Sequence, residues 1–469
     1  MAGLVVTLIA LGTLAFGAVY PWAYLPLFAV AALIGLVGLR HGIRREVRPL
    51  ALSLLLLLAA VAVQLLPVPR PVLDAVSPRA ATILGGFSVA FAGGAAERVP
   101  VSIDPRNTQV AALALGAFGL YLLGLTGSLG RSSLRRIPLA LAMFAVPLAL
   151  FGILNREYGN YRVYWVWEPQ NPVGAAVFGP FINRNHFGGW MLMTVCVMVG
   201  SLFGQIERAS RERGGRRQTR LAWLSSAEAN SILMMGAAVI VGVVSLFWTL
   251  SRSAITGFAA STVAFAWLAY TRRRLGATLR AVTLTALGAL LLTGIAWRGT
   301  DLLVRRFQDD SSLVSRLDAW RDGWAVVRDF PLMGTGLNTY SDAMLFYQTR
   351  NRDFHLAQAH NDYLQLLAEG GLLVAIPAAL AIVVFARAVR RNLRAARGEA
   401  RGYWIRAGAA VGLLAMAVQE VFEFSLQMPA NTLLFCTLAA MTLTATSGQG
   451  TRRVVISSHP KGEASGALP

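Results

Sequence analysis

Charge is scarce in these 469 residues: only 14% are charged, against roughly 25% in soluble domains, while 55% are hydrophobic and the mean hydropathy is +0.55. An ordinary soluble enzyme is excluded. Lysine is nearly missing, because Lys461 stands alone among 43 basic residues. That imbalance carries no functional weight. Cysteine is limited to Cys196 and Cys436, both inside apolar runs, which rules out a disulfide framework and a thiolate metal site. Acidic residues number 23, leaving a net charge of +20 and a pI near 11.2. Such a balance would suit a nucleic-acid partner, but the apolar runs point to membrane lipid and to no nucleic acid.

A bilayer core of about 30 Å takes around 20 mostly apolar residues per helix. Twelve stretches fit: 3–20, 22–39, 50–66, 109–127, 137–154, 186–204, 231–250, 254–271, 281–297, 371–388, 405–422 and 430–446. The first lacks a basic flank and runs through Pro21 into the second, so it reads as a retained helix hairpin and not a cleaved signal peptide. The expected fold class is an all-α polytopic membrane protein with about twelve transmembrane helices.

Cytoplasmic segments carry excess Lys and Arg, which orients the chain. With the N-terminus inside, the segments 40–48, 131–136, 205–230, 272–280, 387–406 and the tail from 447 hold 27 basic residues against six acidic ones, a net +21. The other side is left with 16 basic and 17 acidic residues, near neutrality. Both termini are then cytoplasmic, and the tail 447–469 is expected to be disordered. Three sizeable segments face outward, 67–108, 155–185 and 298–370; only the last shows clear amphipathic helix patterning. The inner loops leave no room for a catalytic domain, so any chemistry is expected outside.

Polar residues at that outer edge need a reason. Arg252, in Leu-Ser-Arg-Ser between two spans, either snorkels to headgroups or faces a cavity held by the short turn. Ser315 is a plausible cap for a helix on which Leu317, Trp320 and Trp324 share a face suited to the membrane surface. Arg316 and Arg321 point elsewhere; pairing with Asp318 and Asp322 is the plainer reading, more so for Arg321. Pro331-Leu-Met-Gly-Thr-Gly336 makes a glycine turn, and Asp309-Asp310 reads as a solvated one. His360 opens His-Asn-Asp-Tyr-Leu-Gln-Leu-Leu-Ala-Glu-Gly-Gly. Asn361 can simply cap the next helix and the histidine can be structural, yet a neutral imidazole is a natural base for a sugar hydroxyl. Glu420 and Glu423, near the outer end of the eleventh stretch, either pair with arginines or serve function. Arg184 lies in Asn-Arg-Asn-His-Phe before the sixth stretch, and 67–108 contains no interpretable motif.

Taken in order, Leu-Ser-Arg252-Ser, Ser-Arg316-Leu-x-x-Trp, Pro-x-x-Gly-x-Gly and His360-Asn-x-x-Leu-x-x-x-x-Glu-x-Gly resemble the O-antigen ligase family, whose superfamily also holds polysaccharide polymerases. The resemblance covers roughly 180–435. Asn-Arg184-Asn-His-Phe and Phe-Ser-Leu-Gln-Met-Pro-Ala-Asn also look like an exopolysaccharide branch. It implies a GT-C-like fold divided into N-terminal helices over 1–180, a catalytic region over 181–446 and the tail. It also implies transfer of a glycan from an undecaprenyl-diphosphate donor to a glycolipid or glycan acceptor, outside the bacterial inner membrane. Arg252 and Arg316, with Arg184 as a weaker match, are implied to hold the diphosphate, and His360 to be the essential histidine. Arg321, Asn361, Glu420 and Glu423 would support them. Neither metal nor other cofactor is implied, and the outer side carries no Asp-x-Asp. Ligase and polymerase stay open as alternatives. The rival from another class is a lipid-linked glycan flippase, against which stand the absence of a two-half repeat and the polar residues gathered at the outer edge.

Overall fold

The computed structural model describes residues 1–94, 96–169, 176–213, 225–272, 276–298, 311–350, 352 and 354–445. The tail expected from 447 and the Asp309-Asp310 turn lie outside them. The described residues form seventeen α-helices, short 3-10 turns and one two-stranded ribbon. First come α1 (Ala2–Leu14), α2 (Pro21–Leu39) and α3 (Arg48–Gln64). Strands β1 (Pro67–Pro69) and β2 (Arg98–Pro100) pair antiparallel, Val68 opposite Val99, and enclose the short helices α4 (Arg70–Val76), α5 (Ala80–Phe87) and α6 (Val89–Ala92). Six long helices follow: α7 (Pro105–Ser128), α8 (Arg131–Tyr158), α9 (Arg184–Arg213), α10 (Ala227–Trp248), α11 (Arg252–Thr271) and α12 (Ala277–Arg298). The remainder are α13 (Ser311–Asp329), α14 (Tyr340–Tyr347), α15 (Asp362–Ala395), α16 (Ala400–Gln419) and α17 (Pro429–Leu443).

This is an all-α multi-span membrane protein. Each of the twelve apolar stretches falls on a helix, but among the described residues seven helices are long and apolar enough to cross a bilayer: α2, α7, α8, α9, α10, α11 and α15. Helices α1, α3 and α17 are shorter. The first falls short because α1 stops at Leu14 and the chain turns through Phe16–Ala18, with Gly17 at φ 70°. There a Cβ would meet the Phe181 ring at 2.9 Å, so glycine is required.

Helix α9 is the axle of the bundle, buried along nearly its whole length, and α16 lies against it. Gly200 and Gly408 permit that approach: a Cβ on Gly200 would stand 2.3 Å from the Trp404 carbonyl oxygen. Small residues let helix backbones meet where lipid removes the hydrophobic drive. Leu55, Met143, Met234, Val263 and Ile376 are exposed on outward faces. A bilayer in place of water makes that arrangement favourable.

One end of the bundle is rich in arginine, and the other carries a small second core. In that core Leu73, Ile83, Leu84, Phe91 and Ile103 of the 67–108 segment pack with Ala319, Val326, Phe330, Tyr340 and Met344 of the late loop segment. The segment that showed no motif is therefore helical and forms one wall of the loop-end cap. Gln64 ties both walls: its carbonyl accepts the Ser102 N–H at 2.9 Å, while its side chain accepts the Leu337 N–H at 3.1 Å and donates to the Met333 carbonyl at 2.7 Å.

Candidate functional site

At the loop end, Glu423 follows α16 and is fully buried, so its charge needs partners. Three elements supply them. Arg316 of α13 donates through Nη2 to Oε1, and Asn185 in the first turn of α9 donates to the same oxygen at 2.7 Å. Nδ1 of His360 stands 3.6 Å from Oε2, just beyond hydrogen-bond length. Burial alone would push this carboxyl up. His360 and the Arg316 charge outweigh it and hold Glu423 below the usual carboxylate range.

The backbone on both sides of His360 is pinned. Trp320 Nε1 donates to the Ala359 carbonyl at 3.0 Å, Gln365 accepts the Ala359 N–H at 3.0 Å, and Asn361 caps α15 by accepting from Tyr363 and Leu364. The residue itself sits at φ 50°, a left-handed conformation that a non-glycine side chain adopts only where its surroundings impose it. Phe424 lies between two imidazoles, His360 at 4.9 Å and His186 at 4.8 Å, both edge-on. The His360 side chain is 33% exposed while its Nδ1 is buried with no hydrogen-bond partner among the described residues. Nε2 is thus the nitrogen presented to the opening.

The glycine motifs interlock beneath this site. Gly334 (φ 67°) and Gly336 (φ 110°) bend the Pro331–Asn338 segment against Glu369-Gly370-Gly371; a Cβ on Gly334 would fall 2.1 Å from the Glu369 carbonyl oxygen. The Glu369 carboxylate accepts the N–H groups of Asn338 and Tyr340. Gly371, at φ 55°, breaks α15 there. In this chain each motif piece is the other's packing surface.

Arg252 opens α11 behind Ser251, whose hydroxyl caps the helix. Gly188 of α9 packs on Ala254, 2.8 Å from where its Cβ would be, so the starts of α9 and α11 are adjacent and Arg184 and Arg252 reach the same end as Arg316 and His360. Two sequence expectations change. Ser315 is no cap, since α13 begins at Ser311 and places Ser315 in its second turn. Leu317 and Trp324 are exposed as a membrane-facing pair would be, whereas Trp320 turns inward to Ala359 and the Phe422 ring. Arg321 pairs with Asp318 at 3.2 Å on the surface, the plainer reading.

Glu420, three residues before Glu423, is buried and both its carboxylate oxygens lack a hydrogen-bond partner among the described residues. Burial, with Asp362 and Glu423 nearby, pushes it well above the usual range. With Asp362 and Tyr363 it lines the loop end of an apolar groove of about 920 Å³. The groove runs past Ile382, Phe385 and Leu414 to Arg390 and Arg394 at the other end. Sequence reasoning did not single out Gln365, met Asn185 only within the Asn-Arg-Asn-His-Phe string, and read Trp320 as part of a membrane-facing stripe and not as a support of the His360 backbone.

Residues 237–379 match the family model described as O-antigen ligase. The chain carries an O-antigen ligase family domain. The matched stretch includes Arg252, Arg316, His360 and both glycine motifs; Arg184, Glu420 and Glu423 lie outside it. No curated protein matches the chain. That domain marks the chain as a multi-pass membrane enzyme, and the domain's family is of the ligase/polymerase type, whose substrates are lipid-linked glycans.

Proposed function

We propose that this O-antigen ligase family enzyme transfers a glycan from undecaprenyl diphosphate to a hydroxyl on lipid A core, at the periplasmic face of the bacterial inner membrane. The carrying observation is that His360 and Arg316 meet on one buried carboxylate, Glu423. The twelve helical stretches and the arginine-rich end favour a twelve-span chain with cytoplasmic termini. Residues 181–446 would form the catalytic region.

Glu423 faces Nδ1, which favours the tautomer with its proton there and leaves Nε2 as the base. The acceptor hydroxyl gives its proton to Nε2 as its oxygen attacks the anomeric carbon. The bond from that carbon to the diphosphate oxygen breaks, and the leaving diphosphate takes the electron pair. Attack opposite the leaving group inverts the anomeric centre. Charge growing on the diphosphate is met by guanidinium forks, Arg252 and Arg316 with Arg184 in support, which remain cationic at any working pH. Such preorganised donors are worth about 3 to 4 kcal/mol each where they have been removed from other enzymes. Charge supplied by arginine requires no metal. The apolar groove beside Asp362 suits the polyprenyl chain.

Purified protein in detergent, given lipid-linked oligosaccharide with and without lipid A core, tests the reading. Transfer that requires the second glycolipid supports ligation. Chain growth on donor alone makes the enzyme a polymerase, and no transfer in either arm, with donor translocation in vesicles, makes it a flippase.

A further inference from the structure

The arginine-rich end contains a pocket unrelated to the His360 site. It has a volume of about 360 Å³ and is enclosed by the start of α8, the end of α9 and the start of α16. Five arginines line it, Arg131, Arg135, Arg208, Arg211 and Arg401, against the acids Glu212 and Glu399. Much of this charge is already committed. Arg208 pairs with Glu212 at 2.7 Å, Arg211 pairs with the buried Glu207, and Glu399 lies 3.9 Å from Arg406.

Three cations are left over. Arg131, Arg135 and Arg401 make no ion pair with the described residues, and Arg401 Nε is buried without a hydrogen-bond partner among them. Like charges converging on a partly enclosed pocket repel one another, and a buried guanidinium nitrogen without an acceptor costs its desolvation. An anion with several oxygens relieves both. From Arg135 an exposed apolar stripe continues along α8 through Leu139, Met143 and Leu150. Acyl chains could lie there.

We propose that Arg131, Arg135 and Arg401 form a binding site for a ligand with two phosphate groups, the charge of a diphosphorylated lipid headgroup or of free diphosphate. The α8 stripe favours the lipid source. Full-length protein in neutral detergent would be titrated with diphosphatidylglycerol, with phosphatidylcholine and with inorganic pyrophosphate, reading bound ligand by native mass spectrometry and the shift in unfolding temperature. Wild type should bind diphosphatidylglycerol at least tenfold more tightly than phosphatidylcholine. The R131Q/R135Q/R401Q variant should lose that preference, whereas R40Q/R45Q, exposed arginines at the same end that line neither the pocket nor the groove, should retain it. If the triple variant fails to fold, R131Q/R135Q carries the test, because both side chains are exposed. Pyrophosphate that binds alone and displaces the lipid would assign the site to a free diphosphate. Binding that is unchanged in the pocket variants, or lost equally in R40Q/R45Q, would overturn the proposal.

Discussion

A buried glutamate lies near each end of α9, Glu207 on that helix and Glu423 after α16, and the two are treated oppositely. At the arginine-rich end Glu207 receives Arg272 through Nε at 2.6 Å and Nη2 at 2.8 Å, Trp404 Nε1 at 2.6 Å, and Arg211. Arg272 also stacks 3.9 Å from the Tyr403 ring centroid. Both oxygens of Glu207 are occupied, and the cluster joins three helices. At the loop end Glu423 places two donors on one oxygen, while Oε2 has no hydrogen-bond partner among the described residues. Beside that oxygen stands a histidine open to solvent on its far side. A buried carboxylate with every site filled acts as a strut; one with spare capacity beside an accessible base is fitted for chemistry.

The difference can be broken from either end, beginning with the largest effect. Replacing His360 with Ala should lower transfer by about 10² to 10⁴, the usual contribution of a general base, and leave the unfolding temperature almost unchanged. Initial rates with radiolabelled donor would check this. Replacing Glu207 with Ala should do the reverse: Arg272 is left buried without its anion, which costs about 3–5 kcal/mol. Its turnover per folded molecule should match wild type, as thermal unfolding and activity measured on one preparation would show.

Smaller effects separate the two loop-end acids. Glu423 is held below its unfolded value, so its contribution to stability is full above about pH 4.3 and is lost as pH falls through the lower folded value. Glu420 is raised, so its contribution is present below about pH 4.3 and is lost as pH rises through its folded value. E420Q should therefore raise the unfolding temperature at neutral pH, and the gain should vanish on acidification. Least of all, Arg321→Ala breaks an exposed pair and should change stability by less than about 1 kcal/mol, with activity within twofold. A flat thermal comparison and parallel rates would confirm that Arg321 is peripheral.

Hydropathy made the helices legible, because a bilayer demands long apolar runs and every such run became a helix. It overstated the length of the first, which stops at Leu14 ahead of the turn through Gly17. Motif order made Arg252, Arg316 and His360 legible. What joins them was not, since the Asn185 to Glu423 contact spans 238 residues and the Gln64 to Leu337 bond 273. Local periodicity contains no trace of such pairings. The wall built by 67–108 was hidden for the same reason: its helices are short, and their apolar faces gain meaning only against Phe330 and Met344.

The most direct measurement sets E423Q beside E207Q and reads transfer per folded molecule at a temperature where both remain folded. With Glu423 orienting His360 and Arg316, E423Q should fall at least tenfold while E207Q keeps the wild-type rate. Equal activity of E423Q and wild type, or a loss confined to E207Q, would contradict the assignment of the loop-end carboxylate to the working site.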